Sequence, residues 1–325
     1  MSRLQRMLLV CGLLLIPGSA SAQLGCWVGM GSIQFGDVNQ VGQPNTDVTG
    51  TMNVGCSNAS TPYVRVCIAL GAPVDASWDP RYLAGTQQQG MRLAYNIYTD
   101  AARTQIWGSA YSTAGRPRAV DLAMSYGSAN TDIPYYARVP AQNDAVADQY
   151  NATFTYANDA AVRAQGYSGS PPACSSSMPI VSRFEFGVWA TVQPDCTVSA
   201  STLDFGTTGT NLETQSVEAA STITMRCTKG VNYNIALDAG VGNGATVAQR
   251  KMTHDSGGAT LPYQLFRDPA RTQPWGDGSS GTSTVSATGA GTQVASSHTV
   301  YGRLLPQSSP AVGQYHDTVT VTVTY

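Results

Sequence analysis

Seven cysteines and three histidines are the side chains of this 325-residue chain best suited to carry chemistry. The histidines, His254, His298 and His316, are scattered without the spacing of a metal site. No G-x-S-x-G elbow occurs that would present a serine nucleophile, and no carboxylate pair can be given acid and base roles from its surroundings. Gly240-Val241-Gly242-Asn243-Gly244 has the glycine content of a phosphate loop, but no helical pattern follows it, so it reads as a turn. These residues predict no enzyme, no metal and no cofactor. Cys11 lies inside the apolar run Met7 to Ile16, behind Arg3 and Arg6 and ahead of Ala20-Ser21-Ala22, which is the layout of an export signal over residues 1–22. Cleavage after Ala22 leaves Gln23 first and discards Cys11. In an exported protein the remaining six cysteines point to disulfides.

An internal repeat selects one of the fifteen possible pairings. Cys196, Leu203-Asp204-Phe205-Gly206 and Thr222-Ile223-Thr224-Met225-Arg226-Cys227 parallel Cys26, Ile33-Gln34-Phe35-Gly36 and Gly50 to Cys56. Downstream, Leu93 to Gly108 with its Ala102-Arg103-Thr104-Gln105 is echoed by Leu261 to Gly276 with its Ala270-Arg271-Thr272-Gln273. Two copies of one domain are expected, with equivalent bridges Cys26–Cys56 and Cys196–Cys227. Cys67 and Cys174 remain and pair as an additional staple of the first copy.

The elements that must position these cysteines are strands. Charged residues make up 12% of the chain, about half the usual ~25%, and Gly, Ser, Thr and Ala take their place. Short runs such as Met225–Cys227, Tyr233–Leu237, Tyr263–Phe266 and Thr299–Leu305, punctuated by turn residues, predict all-β sandwiches. A single helical turn is expected at Asp144–Tyr150. Without the signal, 16 basic residues face 20 acidic ones, which argues against a nucleic-acid partner.

The chain is organised around Arg183 to Cys196. Phe184, Phe186, Val188, Ala190 and Val192 fall on one face of a single strand, with Trp189 the apolar exception on the other. Burying five such side chains is worth roughly 8 kcal/mol gross, so the strand needs a home. It either completes the first copy or serves as the first strand of the second. The former is expected, because the segment from Cys196 onward already supplies a strand equivalent to the one after Cys26. Thr318 to Tyr325 alternates to the last residue, so the second domain is expected to lack a strand and to expose an acceptor edge at Val319, Val321, Val323 and Tyr325.

Cys196 with Leu203-Asp204-Phe205-Gly206, the segment Asp268 to Gly276, Tyr301-Gly302-Arg303-Leu304, and Gly313-Gln314-Tyr315 before the Val/Thr terminus together resemble the spore coat protein U domain. The resemblance is strong over about 130 residues at the C-terminus and weaker over the first copy. It implies the archaic chaperone-usher pili, whose subunits are incomplete immunoglobulin-like sandwiches completed by a neighbour's N-terminal strand. Partners would be a periplasmic chaperone, an outer-membrane usher and an adjacent pilin, and the location the cell surface after passage through the periplasm. Only Gln23, Leu24 and Gly25 precede Cys26, which leaves nothing to donate, as in a tip subunit. The expected layout is therefore a signal (1–22), an N-terminal adhesin domain (23–181), a donor-like strand and linker (182–193) and a C-terminal pilin domain (194–325).

Trp107 and Trp275 occupy matching positions and read as structural. Trp78, Tyr82, Leu83, Tyr111 and Tyr126 have no aromatic or apolar counterparts in the second copy and are the candidate adhesive loop residues. Packing beneath long loops explains them equally well. Three readings follow: a tip adhesin for a surface or host ligand with a part in biofilm formation, a non-adhesive cap that starts the fibre, and a lectin-like sugar-binding sandwich.

Overall fold

A computed structural model describes residues 23–42, 45–112, 114–308 and 310–325, so the export-signal segment lies outside the described residues. The first domain forms β1 (Gly25–Gly29), β2 (Ile33–Val38), β3 (Asn45–Ser57), β4 (Tyr63–Ala69), β5 (Arg81–Gly85) and β6 (Arg92–Tyr98). It continues with β7 (Arg118–Ala123), β8 (Ala129–Pro140), β9 (Asp148–Phe154), β10 (Ala161–Tyr167), β11 (Ile180–Arg183) and β12 (Phe186–Val192). The second domain forms β13 (Cys196–Ala200), β14 (Val217–Cys227), β15 (Asn232–Leu237), β16 (Arg250–His254) and β17 (Thr260–Phe266). It ends with β18 (Val285–Thr288), β19 (Ser296–Leu304), β20 (Tyr315–His316) and β21 (Val321–Thr324).

Both domains are immunoglobulin-like β-sandwiches on one plan. The larger sheet runs β1-β3-β8-β6-β5-β9-β12-β2 in the first domain and β13-β14-β19-β17-β16-β20 in the second. The smaller sheets run β11-β10-β4-β7 and β18-β15-β21. Strand for strand, β13 stands for β1, β14 for β3, β19 for β8, β17 for β6, β16 for β5, β20 for β9, and β21 for β10. Disulfides Cys26–Cys56 and Cys196–Cys227 close the β1–β3 and β13–β14 pairs at their facing residues. Cys67–Cys174 ties β4 to the segment before β11.

The repeated D-x-x-R-T-Q motif is a turn with a local purpose. The Asp100 carboxylate accepts hydrogen bonds from the Thr104 and Gln105 amides and the Thr104 hydroxyl, and Asp268 does the same for Thr272 and Gln273. Arg103 and Arg271 sit at the positive-φ position of each turn, φ 57° and 55°. Arg103 reaches Ala137 O, and Arg271 reaches Gly302 O. The indoles that follow are fully buried and donate into the opposite sheet, Trp107 to Ile68 O and Trp275 to Ile235 O.

Each core also holds an arginine that sequence reasoning passed over. Arg81 is fully buried and donates to Gly71 O, Leu70 O, Trp107 O and Asn96 Oδ1. Arg250 repeats this with Asp238 O, Leu237 O, Val247 O and Gln264 Oε1. Burial lowers the Arg81 pKa to about 10, yet the planar fork satisfies carbonyls at the β4–β5 crossing that water cannot reach. Arg81→Met is expected to cost about 3 kcal/mol, because it strands those acceptors. Arg81→Lys should recover little, and urea unfolding of the two variants checks this.

Three expectations are corrected. Residues 183–192 do not form one strand: β11 joins the small sheet beside β10, the chain turns a corner at Phe184-Glu185, and β12 enters the large sheet. The Val/Thr terminus is regular only over Val321–Thr324, since Asp317 to Thr320 make no ladder. The Asp238 carboxylate instead accepts from the Thr320 amide, and Asp317 accepts from the Val241 and Thr318 amides. Asp144–Tyr150 forms no helical turn, and β9 begins at Asp148 within it; the described helical turns are at Tyr156–Asn158 and Thr210–Glu213.

Candidate functional site

Three strands of the first domain have no counterpart in the second: β2, β11 and β12. β12 and β2 pair at the edge of the larger sheet, and β11 covers an edge of the smaller one. β12 pairs antiparallel with β9 over its whole length and parallel with β2, so β2 is a strand only because β12 lies beside it. Phe184, Phe186, Val188, Ala190 and Val192 are all buried in the first core, with Phe186 stacked on Phe154 at 4.6 Å. Trp189, on the opposite face, is 44% exposed.

In the second domain the place of β12 is an open groove of about 470 Å³. One wall is Leu203 and Phe205, the other Tyr315, Val319 and Val321, and the floor includes Ile223, Leu265 and Val300. The comparison between copies is direct. Ile33 and Phe35 are buried on β2 beside β12, whereas Leu203 and Phe205 at the same motif positions are half exposed and belong to no strand. β9 is seven residues long, while β20 has only two and pairs only with β16. The outer edge of β10 is covered by β11, whereas β21 has a neighbour only at β15 among the described residues. The groove is thus apolar and flanked, at residues 203–206 and 317–320, by backbone that joins no ladder.

The C-terminal residues take different places in this geometry. Val319 and Val321 line the groove; Val323 packs on the core outside it; Tyr325 is exposed and its hydroxyl reaches Asp195 Oδ1 at 3.3 Å. Leu203 and Phe205 were visible in sequence as a repeated motif, but their exposure was not.

The five aromatic and apolar loop candidates do not form one patch. Leu83 is a correction: it is fully buried on β5. Tyr82 is half-buried on the same strand, paired with Ala94. Trp78 is half-buried in the β4–β5 loop. Tyr111 is exposed, with Arg163 over its ring at 5.7 Å. Tyr126 stands at the other end of the small sheet, about 20 Å away by strand length. There it occupies a two-residue turn closed by Ser125 and Ser128 and joined to Ala59 and Pro62. It is fully exposed at φ 50° with Gly127 at φ 77°, a conformation that suits Asn or Gly better than an aromatic residue. Tyr63, stacked on Tyr167 at 5.5 Å, is exposed beside it.

This turn is far from the second domain. The β3–β8 ladder runs from Cys56–Ala129 beside the turn to Asn45–Pro140, about 37 Å at 3.4 Å per residue. Just beyond Pro140 the domains meet, through Gln142 O accepting from Thr292, Asn143 Oδ1 from the Gln293 amide, and a backbone bridge between Val146 and Lys229. Asn39 also donates to Asp195 at 2.7 Å.

Comparison with known proteins places these observations in a class. The Spore Coat Protein U domain model matches residues 14–157 and again 182–322, and the chain belongs to that family. The second match begins at residue 182, so β12 is counted in sequence with the second copy although its hydrogen bonds lie in the first sheet. No curated protein matches the chain in sequence. Among solved structures, the chain is similar to that of the CsuC-CsuE chaperone-tip adhesion subunit complex from the archaic chaperone-usher Csu pili of Acinetobacter baumannii. The identity is 17% over 93% of this chain and 100% of that one, with a TM-score of 0.52. It is more distantly similar to the CupB6 tip adhesin of Pseudomonas aeruginosa, 12% identical over 93% and 94% of the two chains, TM-score 0.35. A third is the CfaE adhesive subunit of CFA/I fimbria of enterotoxigenic Escherichia coli, 10% identical over 90% and 92%, TM-score 0.32.

Proposed function

We propose that this protein is the tip subunit of a chaperone-usher pilus, with an adhesive first domain and a second domain that receives a strand from the adjacent pilin. The observation that carries this reading is the pair of equivalent positions, one occupied by β12 of the same chain and the other an open groove. The first domain has its strand in cis and needs no partner; the second presents an apolar groove to one. A periplasmic chaperone holds that groove during export, the usher exchanges it for a pilin strand, and the subunit comes to rest at the cell surface. The role is binding and structural rather than enzymatic. Adhesion to a surface or host ligand, and through it biofilm formation, falls to the end of the first domain farthest from the groove, where Tyr126 and Tyr63 are exposed. An aromatic residue held in a strained turn, fully in water, fits contact better than packing.

The test uses piliated cells. Tyr63→Ser with Tyr126→Ser should leave pilus number unchanged and reduce attachment about tenfold, and an antibody to the first domain should label fibre ends. Unchanged attachment would favour the non-adhesive cap, and labelling along the shaft would remove the tip assignment.

A further inference from the structure

The first domain has a second concave feature, unrelated to β12 or to the distal turn. A cleft of about 630 Å³ opens between the turn after β6 and the segment entering β7, lined by Asp79, Gln105, Ile106, Arg116, Pro117 and Arg118 among others. Its geometry belongs to both copies: Trp107 makes a parallel bridge to Arg116, and Trp275 makes the same bridge to Ser283. The residues do not. On that register Arg116 corresponds to Ser283 and Arg118 to Val285, and on the Arg81–Arg250 equivalence Asp79 corresponds to Ala248. Two cations and a carboxylate thus stand where the second domain is uncharged.

The two arginines are also unlike their neighbours in the first domain. Arg65, Arg92, Arg103, Arg138 and Arg163 each face a carboxylate. Among the described residues, Arg118 donates only to Thr99 O, at 2.6 Å, and Arg116 reaches only the Ser112 and Gly115 carbonyls, at 3.4 and 3.5 Å. Most of the five donors of each guanidinium are therefore without a partner among the described residues. Arg118 is partly buried, and burial without a facing carboxylate lowers its pKa. Asp79 uses one oxygen to accept from Asn96 at 3.0 Å. Ile106, which is half-buried, supplies apolar surface in the same cleft.

We propose that this cleft binds an acidic saccharide: Arg116 and Arg118 take the sugar carboxylate, Asp79 accepts from a ring hydroxyl, and Ile106 packs against the ring. Fork-shaped donors for a planar carboxylate, an acceptor for hydroxyls and an apolar floor are the three recognition elements a uronic acid requires. This inference rests on the reading of the first domain as the ligand-contacting one.

Binding of the full chain to polygalacturonate, neutral dextran and dextran sulfate, measured by interferometry at fixed salt, tests the proposal. The wild-type chain is expected to bind polygalacturonate and not dextran. Arg116→Ser with Arg118→Val, which installs the second domain's residues, should weaken that binding at least tenfold with an unchanged melting temperature. Arg116→Lys with Arg118→Lys keeps the charge but not the fork and should also weaken it several-fold. Asp79→Asn should reduce binding to polygalacturonate. Equal binding by the Ser/Val variant, full binding by the Lys/Lys variant, or a preference for dextran sulfate indifferent to Asp79→Asn would overturn the assignment. Attachment of piliated cells separates this inference from the tip reading. Loss of polygalacturonate binding with intact attachment through Tyr63 and Tyr126 leaves the adhesin standing, whereas fibres labelled along the shaft remove it whatever the cleft binds.

Discussion

Val188→Asp is expected to remove most of the stability of the first domain, whereas Trp189→Asp, one residue along the same strand, should change it by about 0.5 kcal/mol or less. Val188 is fully buried between β9 and β2, opposite Ala152 on one side and Ile33 on the other. An aspartate there loses the valine's packing and either buries a charge with no partner or is protonated at neutral pH. The expected cost is about 4–5 kcal/mol, a large share of the ~5–15 kcal/mol that holds a domain folded. Trp189 points to solvent from the same backbone. The pair of variants thus separates a strand that belongs to the first core from one that merely passes by. Urea unfolding should show the first transition shifted strongly for Val188→Asp alone. Equal midpoints would detach residues 186–192 from the first domain. Ending the chain at Ser182 should destabilise the first domain further, since β12 and the ordering of β2 are lost together.

How much of this was legible depends on the kind of signal. Periodicity carries the buried face of residues 184–192, because Phe184 and Phe186 keep the same parity through the corner between β11 and β12. For the same reason periodicity could not reveal the corner, since alternation persists while the strand changes sheets. The self-similarity of the two halves carried the two-domain layout, because Cys, Trp and the D-x-x-R-T-Q turn recur at matched spacing. It failed where the copies diverge in composition. Leu83 looked like a loop residue opposite a glycine-rich segment, yet β5 aligns with β16 through Arg81 and Arg250, and Leu83 then takes the place in the first core that Met252 takes against the second. Arg81 and Arg250 themselves gave no warning, since a buried cation satisfied by carbonyls has no distinguishing residue type. Tyr126 was identifiable as an aromatic without a counterpart, but its separation from Trp78 and Tyr111 is a property of the sheet. The groove is the clearest case: Leu203 and Phe205 repeat Ile33 and Phe35 in letters, and only three dimensions show that one pair is covered and the other is not.

The second large effect concerns that groove. A bound strand would bury Leu203, Phe205, Tyr315, Val319 and Val321, extend β20 and bring residues 203–206 into a ladder, as β12 does for β2. At a thousandfold excess over its Kd such a ligand adds about 4 kcal/mol, which corresponds to roughly 10 °C or more in the melting temperature of a domain of this size. The most direct measurement is amide exchange on the full chain with and without a peptide from the adjacent pilin's N-terminal donor segment, alongside the melting temperature of the second domain. Addition of the peptide should protect the amides of residues 203–206 and 315–319, leave those of β12 unchanged, and raise the second transition by that margin. Unchanged exchange at residues 203–206, in a second domain that is monomeric and no more stable for the peptide's presence, would contradict the account and leave a self-sufficient sandwich in its place.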